Sequence, residues 1–338
     1  MAELMPDEGT RDFETYLNIF LSQIPSETSL DERRLLYRVF RNQWSGSGTV
    51  VELGPFLGGT TRAIAWGMRY NKKRQQGATL ETFDKFGSYY SGERLRAFVA
   101  PMVEANLMTS ALAYELCEKG DFESLFREIH KTHNYFELIR IHNAVLPDNP
   151  EDIIASEALG PIKEKQISGL FVDGCKSWAS TVYVLQQALP KMKPGDLVIF
   201  QDFGWHTCFW ISSMVYALRD FLTYQEYADS TYIFRVAQTP TESDILYRCP
   251  VRPEHLGASF FSEAATQLAT DCRARGDLRG ELIAHLHQVA ALATIGEKDK
   301  ALKILKSINL EHFNSFLWMI QMSLDSPTYL PGGQKIKF

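Results

Sequence analysis

Apolar residues recur at Phe13, Tyr16, Leu17, Phe20, Leu21 and Ile24, a spacing of three and four that predicts one buried helix face. Asp31 to Trp44 repeats the pattern through Leu35, Leu36, Val39 and Phe40. Ser45-Gly46-Ser47-Gly48 then stops the helix and leads into Thr49 to Leu53, a short apolar strand. From that point strands and helices alternate. Thr60 to Tyr70 reads as helix, Thr79 to Phe86 as strand, Tyr135 to Ile141 as strand and Pro150 to Lys163 as helix. Ile167 to Val172 is a strand, Ser180 to Met192 a helix, and Leu197 to Phe200 a strand after the turn Lys193-Pro194-Gly195-Asp196. Thr207 to Leu222 is a helix, and Tyr224 to Ala228 with Thr231 to Ala237 forms an antiparallel edge. Gly87 to Asn134 interrupts the alternation with two helices, near Arg94 to Glu104 and Leu125 to His133.

Short, wholly apolar strands between amphipathic helices predict an α/β fold, a doubly wound and mostly parallel sheet covered on both faces. Ligands of such sheets bind beyond the carboxyl ends of the strands. Polar residues concentrate there: Glu52, Asp84, Asp173, Gln201 and Asp202. The expected organisation is a pair of N-terminal helices over residues 1–48 and a sheet domain over 49–240 with a helical insertion at 87–134. A C-terminal helical appendage follows over 253–325, its helices at Glu263–Arg275, Glu281–Ile295, Lys298–Ile308 and His312–Met322. Ala290 to Ser307 has the small-residue and glycine placement of a helical repeat, but no second copy exists elsewhere in the chain.

Composition narrows the partners. With 45% hydrophobic residues in 338, the chain buries a real core. A formal charge of −6 argues against nucleic acid or an anionic membrane surface. Five scattered cysteines without a CxxC spacing fit reduced thiols and a cytoplasmic protein, not a disulfide frame or zinc site. The acidic, polar start from Met1 to Glu14 does not read as a signal peptide, and no apolar run reaches the length of a membrane span.

Val51-Glu52-Leu53-Gly54-Pro55-Phe56-Leu57-Gly58-Gly59-Thr60-Thr61 carries the first candidate chemistry. Gly54 and Gly58 allow a tight turn and close approach of backbone amides to a ligand. Glu52, ahead of the turn, suits a cationic ligand, whereas nicotinamide binders place three glycines there in a different spacing. Asp84 ends the second strand, where a carboxylate can accept both hydroxyls of a ribose. At the other strands stand Asp173-Gly174-Cys175-Lys176 and Gln201-Asp202. His206, beside Trp205, is the candidate general base, either as that or as a helix-capping or packed residue. His130, His133, His142, His285 and His287 lack the partners or spacing of a metal site and read as structural or surface residues. Tyr89 and Tyr90 open the insertion, which is either a lid over the site or an extra helical layer.

The glycine loop, the Asp-Gly pair after the fourth strand with Ser180-Thr181 beyond it, and the Pro-Gly turn before the fifth strand resemble one superfamily from Thr49 to about Val236. They are similar to the class I S-adenosylmethionine-dependent methyltransferases, in particular the group of macrocin O-methyltransferase and the cephalosporin-hydroxylase-type proteins. The resemblance implies a Rossmann-like methyltransferase sheet and transfer of a methyl group to an oxygen of a small molecule, a natural product or sugar. It implies S-adenosylmethionine held by Glu52, Gly54, Phe56, Gly58, Thr60, Thr61 and Asp84, its sulfonium and amino group gaining from the Glu52 carboxylate. It implies catalysis at His206, Asp202 and Asp173, with Asp173 and Asp202 as ligands of a magnesium ion. Gln201 stands where a second acid is usual, which removes a charge from that site. Lys176 stands where a related pattern has His, and its ammonium can take the cation's place beside Asp173. A different enzyme class on the same sheet, hydroxylase-like or oxidoreductase, is the first alternative. A non-catalytic cofactor-binding interaction protein is the second. Phe313, Phe316, Leu317 and Met319 on the terminal helices are expected to be exposed and to support a homo-oligomer.

Overall fold

The computed structural model describes residues 11–87, 92–120, 122–325, 329–330 and 334–335. Seven strands form one sheet in the order β3-β2-β1-β4-β5-β7-β6, numbered along the chain. That order runs outward from β1 in one direction and from β4 in the other, as a doubly wound sheet does. Contacts divide the chain into two compact units, Met1–Val145 with Tyr227–Asp229, and Leu146–Glu226 with Ser230–Phe338. No helix among the described residues is long and apolar enough to cross a membrane.

In the first unit, α1 (Arg11–Ser22) and α2 (Leu30–Asn42) precede β1 (Thr49–Leu53), α3 (Gly59–Tyr70) and β2 (Thr79–Asp84). Ser29 and Glu32 close a capping box that starts α2, each side chain satisfying the other's backbone amide. β1 runs parallel to β2 with Thr49 opposite Thr79, and β2 parallel to β3 (Ile139–Asn143) with Leu80 opposite Ile139. The insertion holds three helices, not two: α4 (Gly92–Glu104), α5 (Ser110–Lys119) and α6 (Phe122–His130). α4 and α6 stand near the two expected helices, and α5 between them is additional, capped by Thr109 and ended by Gly120 in the left-handed region.

Arg62 of α3 is fully buried. It donates to the Phe20 carbonyl at 2.8 Å, to Gln23 at 2.9 Å and to the Tyr135 hydroxyl at 3.1 Å, and meets His133 Nε2 at 2.9 Å. Its charge is thus dispersed over neutral acceptors, and α1 is fastened to α3 through it. His133 stays neutral there: burial first, and the guanidinium second, lower its pKa to about 4.

The second unit begins with β4 (Ile167–Val172), α7 (Trp178–Ala188) and β5 (Leu197–Phe200). After α8 (Phe209–Ala217) and β6 (Leu222–Ala228), β7 (Thr231–Val236) returns antiparallel to β5, with Leu197 opposite Arg235. The expected helix at Pro150–Lys163 is instead two single 3₁₀ turns, Pro150–Asp152 and Gly160–Ile162. Pro150 at a first helical position is compatible with a helix, but Pro161 inside the segment removes a donor and Gly160 beside it lowers the propensity that a continuous helix needs. α9 (Glu242–Arg248), unforeseen, is started by a Thr241–Asp244 capping box that the sequence Thr-Glu-Ser-Asp does spell.

Four helices close the chain: α10 (Gly257–Ala274), α11 (Leu278–Thr294), α12 (Lys298–Ser307) and α13 (Leu317–Asp325). α10 and α11 pair with each other and both pack on α8. Leu282, Leu286, Val289, Leu305, Phe313 and Met319 form their core. This corrects the expected self-association face, because Phe313 and Met319 are 2% and 0% exposed and Phe316 packs partly against the same core. Leu317, with Trp318 beside it, does face solvent.

Candidate functional site

The loop after β1 alternates between ordinary and left-handed backbone: Gly54 has φ 77°, Phe56 52° and Gly58 90°. This winding brings its amides onto the end of β2. Gly54 N donates to the Phe83 carbonyl at 2.9 Å, and Phe56 N donates to Asp84 Oδ2 at 3.3 Å. Asp84 Oδ1 accepts a second amide, that of Phe86, at 2.9 Å. Each oxygen of Asp84 thus accepts one backbone amide, and the acid anchors the loop to the end of β2. Phe56 and Phe86 both hold positive φ, a costly state for a bulky residue that clusters at ligand sites.

Glu52 lies elsewhere than expected. It is fully buried, with Oε1 accepting from Thr60 at 2.8 Å and Oε2 accepting from Thr61 at 2.7 Å and from Thr82. Burial raises its pKa against the pull of the three hydroxyls, and Asp84 adds to the rise. Glu52, Thr60 and Thr61 therefore form one internal cluster that ties β1, the first turn of α3 and β2 together.

The glycines have a cause within the chain as well. A Cβ on Gly58 would lie 1.9 Å from His130 Nε2, and one on Gly59 would lie 2.5 Å from Ser26 Cβ. His130, buried at the end of α6, approaches the Leu57 carbonyl at 3.1 Å and the Tyr135 hydroxyl at 3.0 Å. Tyr135 accepts from Arg62, so its own proton goes to His130 Nδ1 and Nε2–H donates to Leu57. Burial holds this imidazole well below its ordinary pKa, which preserves the neutral tautomer the chain of bonds needs. The insertion thus grips the loop: Phe98 and Phe122 pack on Phe56 at 5.3 and 5.8 Å, and Phe126 packs on Phe86 at 5.8 Å. Tyr89 and Tyr90 lie outside the described residues. Gly58→Ala is expected to cost about 2 kcal/mol or more of stability without any ligand, from left-handed strain plus the His130 clash. Thermal unfolding of the ligand-free protein checks this. Unchanged melting with loss of binding alone would mean the glycine serves only ligand clearance.

In the second unit, Asp173 follows β4 and Asp202 follows β5. Lys176 Nζ lies 3.2 Å from Asp173 Oδ1 and 2.6 Å from Asp202 Oδ2. The two carboxylates, Asp202 first and then Asp173, hold this exposed ammonium's pKa well above the ordinary lysine value. Asp202 sits at φ 63°, and Gln201 N bonds the Val172 carbonyl across the two strand ends at 3.1 Å. These residues do not fit a magnesium ion: the two expected ligands already surround an ammonium. Among the described residues no group of three His, Cys, Asp or Glu is placed to hold a metal. Burial pushes the Cys175 thiol up to about 12, which disfavours its thiolate.

His206 is 2% exposed, and neither ring nitrogen has a hydrogen-bond partner among the described residues. Buried polar atoms are nearly always paired, so an orphaned imidazole marks a place where a ligand or water completes the bonding. Burial lowers its pKa to about 4, leaving a neutral ring able to take a proton. Sequence reasoning passed over its support. His287 of α11, also 2% exposed, bonds the Trp205 carbonyl at 2.8 Å and the Ser212 hydroxyl at 2.7 Å. Burial lowers it to about 4 too. The spacing of His285 and His287 had spoken only against a shared metal. His142 pairs with buried Glu81 at 2.6 Å.

His130, His133, His206 and His287 all have depressed pKa and make stability fall with acid. The unfolded rings take protons below about pH 6.5, whereas His133, His206 and His287 resist until about pH 4, so each of these three costs about 2 kcal/mol by pH 5. The contribution is whole above pH 6.5 and is lost downward through that window. Guanidinium unfolding at pH 7 and pH 5 reads it, and equal midpoints would contradict it.

A cavity of about 490 Å³ in the second unit is bordered by Ile153, Glu157, Lys163, Tyr183, Gln187 and Leu246. It contains none of the sequence-predicted site residues.

No protein-family model matches the chain, and no curated protein matches it. Solved structures do. The chain is similar to the O-methyltransferase NovP at 17% identity, over 67% of this chain and 99% of that one, with a TM-score of 0.41. It is similar to CalS11, a calicheamicin methyltransferase, at 13% identity over 68% and 95%, with a TM-score of 0.35. A cyclopropane-fatty-acyl-phospholipid synthase-like protein from Lactobacillus casei matches at 11% identity over 80% and 94%, with a TM-score of 0.29. Likeness at this level bears on neither activity nor substrate.

Proposed function

We propose that the chain is an S-adenosylmethionine-dependent methyltransferase acting on a hydroxyl oxygen of a small molecule, a sugar or a natural product. The observation that carries this reading is Asp84, a buried acid at the carboxyl end of β2 that the glycine loop grips through the Phe56 amide. An acid so placed suits the two hydroxyls of an adenosine ribose. Bound there, the cofactor supplies an electrophilic methyl group on a sulfonium.

The chain's residues divide the remaining work. Gly54, Phe56 and Gly58 shape the loop whose backbone lies against the nucleotide, and α3 begins where that loop ends. Glu52, Thr60 and Thr61 hold the loop's ends in register and reach the ligand only through the backbone they fix. In the second unit, neutral His206 accepts the proton that an attacking hydroxyl must lose. Asp173 and Asp202 hold Lys176 beside them, and no metal step is required.

Radiolabel from S-[methyl-³H]-adenosylmethionine, offered with a panel of sugars and glycosylated aromatics, is expected in an alkali-stable methyl ether on one acceptor class. Label found only on carbon or nitrogen, or NADH-dependent reduction of the panel in its place, would overturn the reading.

A further inference from the structure

Asp173 and Asp202 come from different strand ends, and each points an oxygen at one shared atom, Lys176 Nζ. Two carboxylates converging on a point is the first half of a hard-cation site, the rest being completed by water or a ligand oxygen. Here the point is filled by the chain itself. The lysine sits three residues after Asp173, and its side chain is 59% exposed, so the contact is not forced by packing of the stem. Asp202 keeps a left-handed backbone at φ 63°, and the turn behind it is closed by Trp205 N donating to the Asp202 carbonyl at 3.0 Å. A non-glycine residue held in that region is retained where the surroundings over-determine it.

We propose that Lys176 is the resident cation of this site: a tethered ammonium that excludes a divalent metal from Asp173 and Asp202 and presents its remaining N–H to an oxygen of the acceptor. An ammonium has three donors, and the two acids account for two of them. Being covalently attached, it competes for the two acids as an intramolecular partner that is always present. The cation exchange stands on the geometry of the trio alone. Only the contact with the acceptor oxygen rests on the methyltransferase reading.

The test is Mn²⁺ binding to the full chain at pH 8 in physiological salt, followed by loss of the free-ion electron paramagnetic resonance signal. The wild type is expected to bind no stoichiometric Mn²⁺. Lys176→Ala, and Lys176→Met with the apolar stem kept, are each expected to bind one ion at least 10-fold more tightly. Adding Asp202→Asn to either is expected to abolish that gain. A wild-type chain that binds one Mn²⁺ lost on Asp202→Asn would overturn the proposal. So would the absence of any Mn²⁺ site in both lysine variants when their circular dichroism matches the wild type. Neither outcome depends on methyl transfer: failure of the chain to bind S-adenosylhomocysteine would sink the functional reading and leave the metal result as it stands.

Discussion

Asp84→Ala is expected to weaken S-adenosylhomocysteine binding by at least about 100-fold, the largest single loss at the nucleotide loop. Two charge-assisted bonds to ribose hydroxyls are worth about 1.5–3 kcal/mol each, and every 1.4 kcal/mol is about tenfold in affinity. Part of the loss comes through the loop, since the same carboxylate receives the Phe56 and Phe86 amides. Glu52→Gln provides the contrast. Its side chain is sealed among Thr60, Thr61 and Thr82, and an amide can still accept and donate there, so affinity is expected to change less than about threefold. Calorimetric titration of both variants, with melting curves alongside, separates the two roles. A Glu52→Gln protein that melts normally and fails to bind would place Glu52 on the ligand after all.

His206→Ala is expected to lower kcat on the hydroxyl acceptor by about 10² to 10⁴, the usual worth of a positioned general base. The pH dependence is the sharper part of this expectation. Because burial lowers the ring's pKa to about 4, kcat/KM stays level from neutral pH down to about 5 and falls only as the ring is protonated near 4. An exposed histidine would bring that fall to about 6.5. A wild-type acid limb near 6.5, or one near 4 that survives in His206→Ala, would assign the base elsewhere. His287→Ala should lower kcat less, since it frees the Trp205 carbonyl without removing the base itself.

The sheet was legible because its central strands are short, mostly apolar runs bounded by turn residues. Thr49–Leu53, Ile167–Val172 and Leu197–Phe200 stand in the structure as the pattern predicts. The segment after β3 was not legible, since the apolar spacing of Pro150–Lys163 outweighed Gly160 and Pro161 in the reading though not in the fold. The terminal helices misled for a related reason. Phe313 and Met319 carry no periodic sign of which side is inward, and both join the core with Leu282, Leu286 and Val289 of α11.

At the site, residue types were legible and their partners were not. Glu52 reads as a ligand acid in any linear view, because nothing nearby in sequence shows that Thr82, from the neighbouring strand, comes to share its carboxylate. Gly58 reads as clearance for a ligand, and the side chain of His130 fills that space. Lys176 was visible as a rival cation beside Asp173, three residues away. Its bond to Asp202, from the next strand, is a product of the fold. His287 had no sequence signal beyond burial on a helix, and long-range pairs of this kind are outside the reach of spacing arguments.

The central claim, an adenosine-type cofactor held at Asp84, is met most directly by calorimetry of the wild-type chain with S-adenosylhomocysteine and, separately, NADH. One S-adenosylhomocysteine per chain and no heat with NADH is the predicted result. Binding of NADH, or no binding of S-adenosylhomocysteine or S-adenosylmethionine by a folded chain, would contradict it.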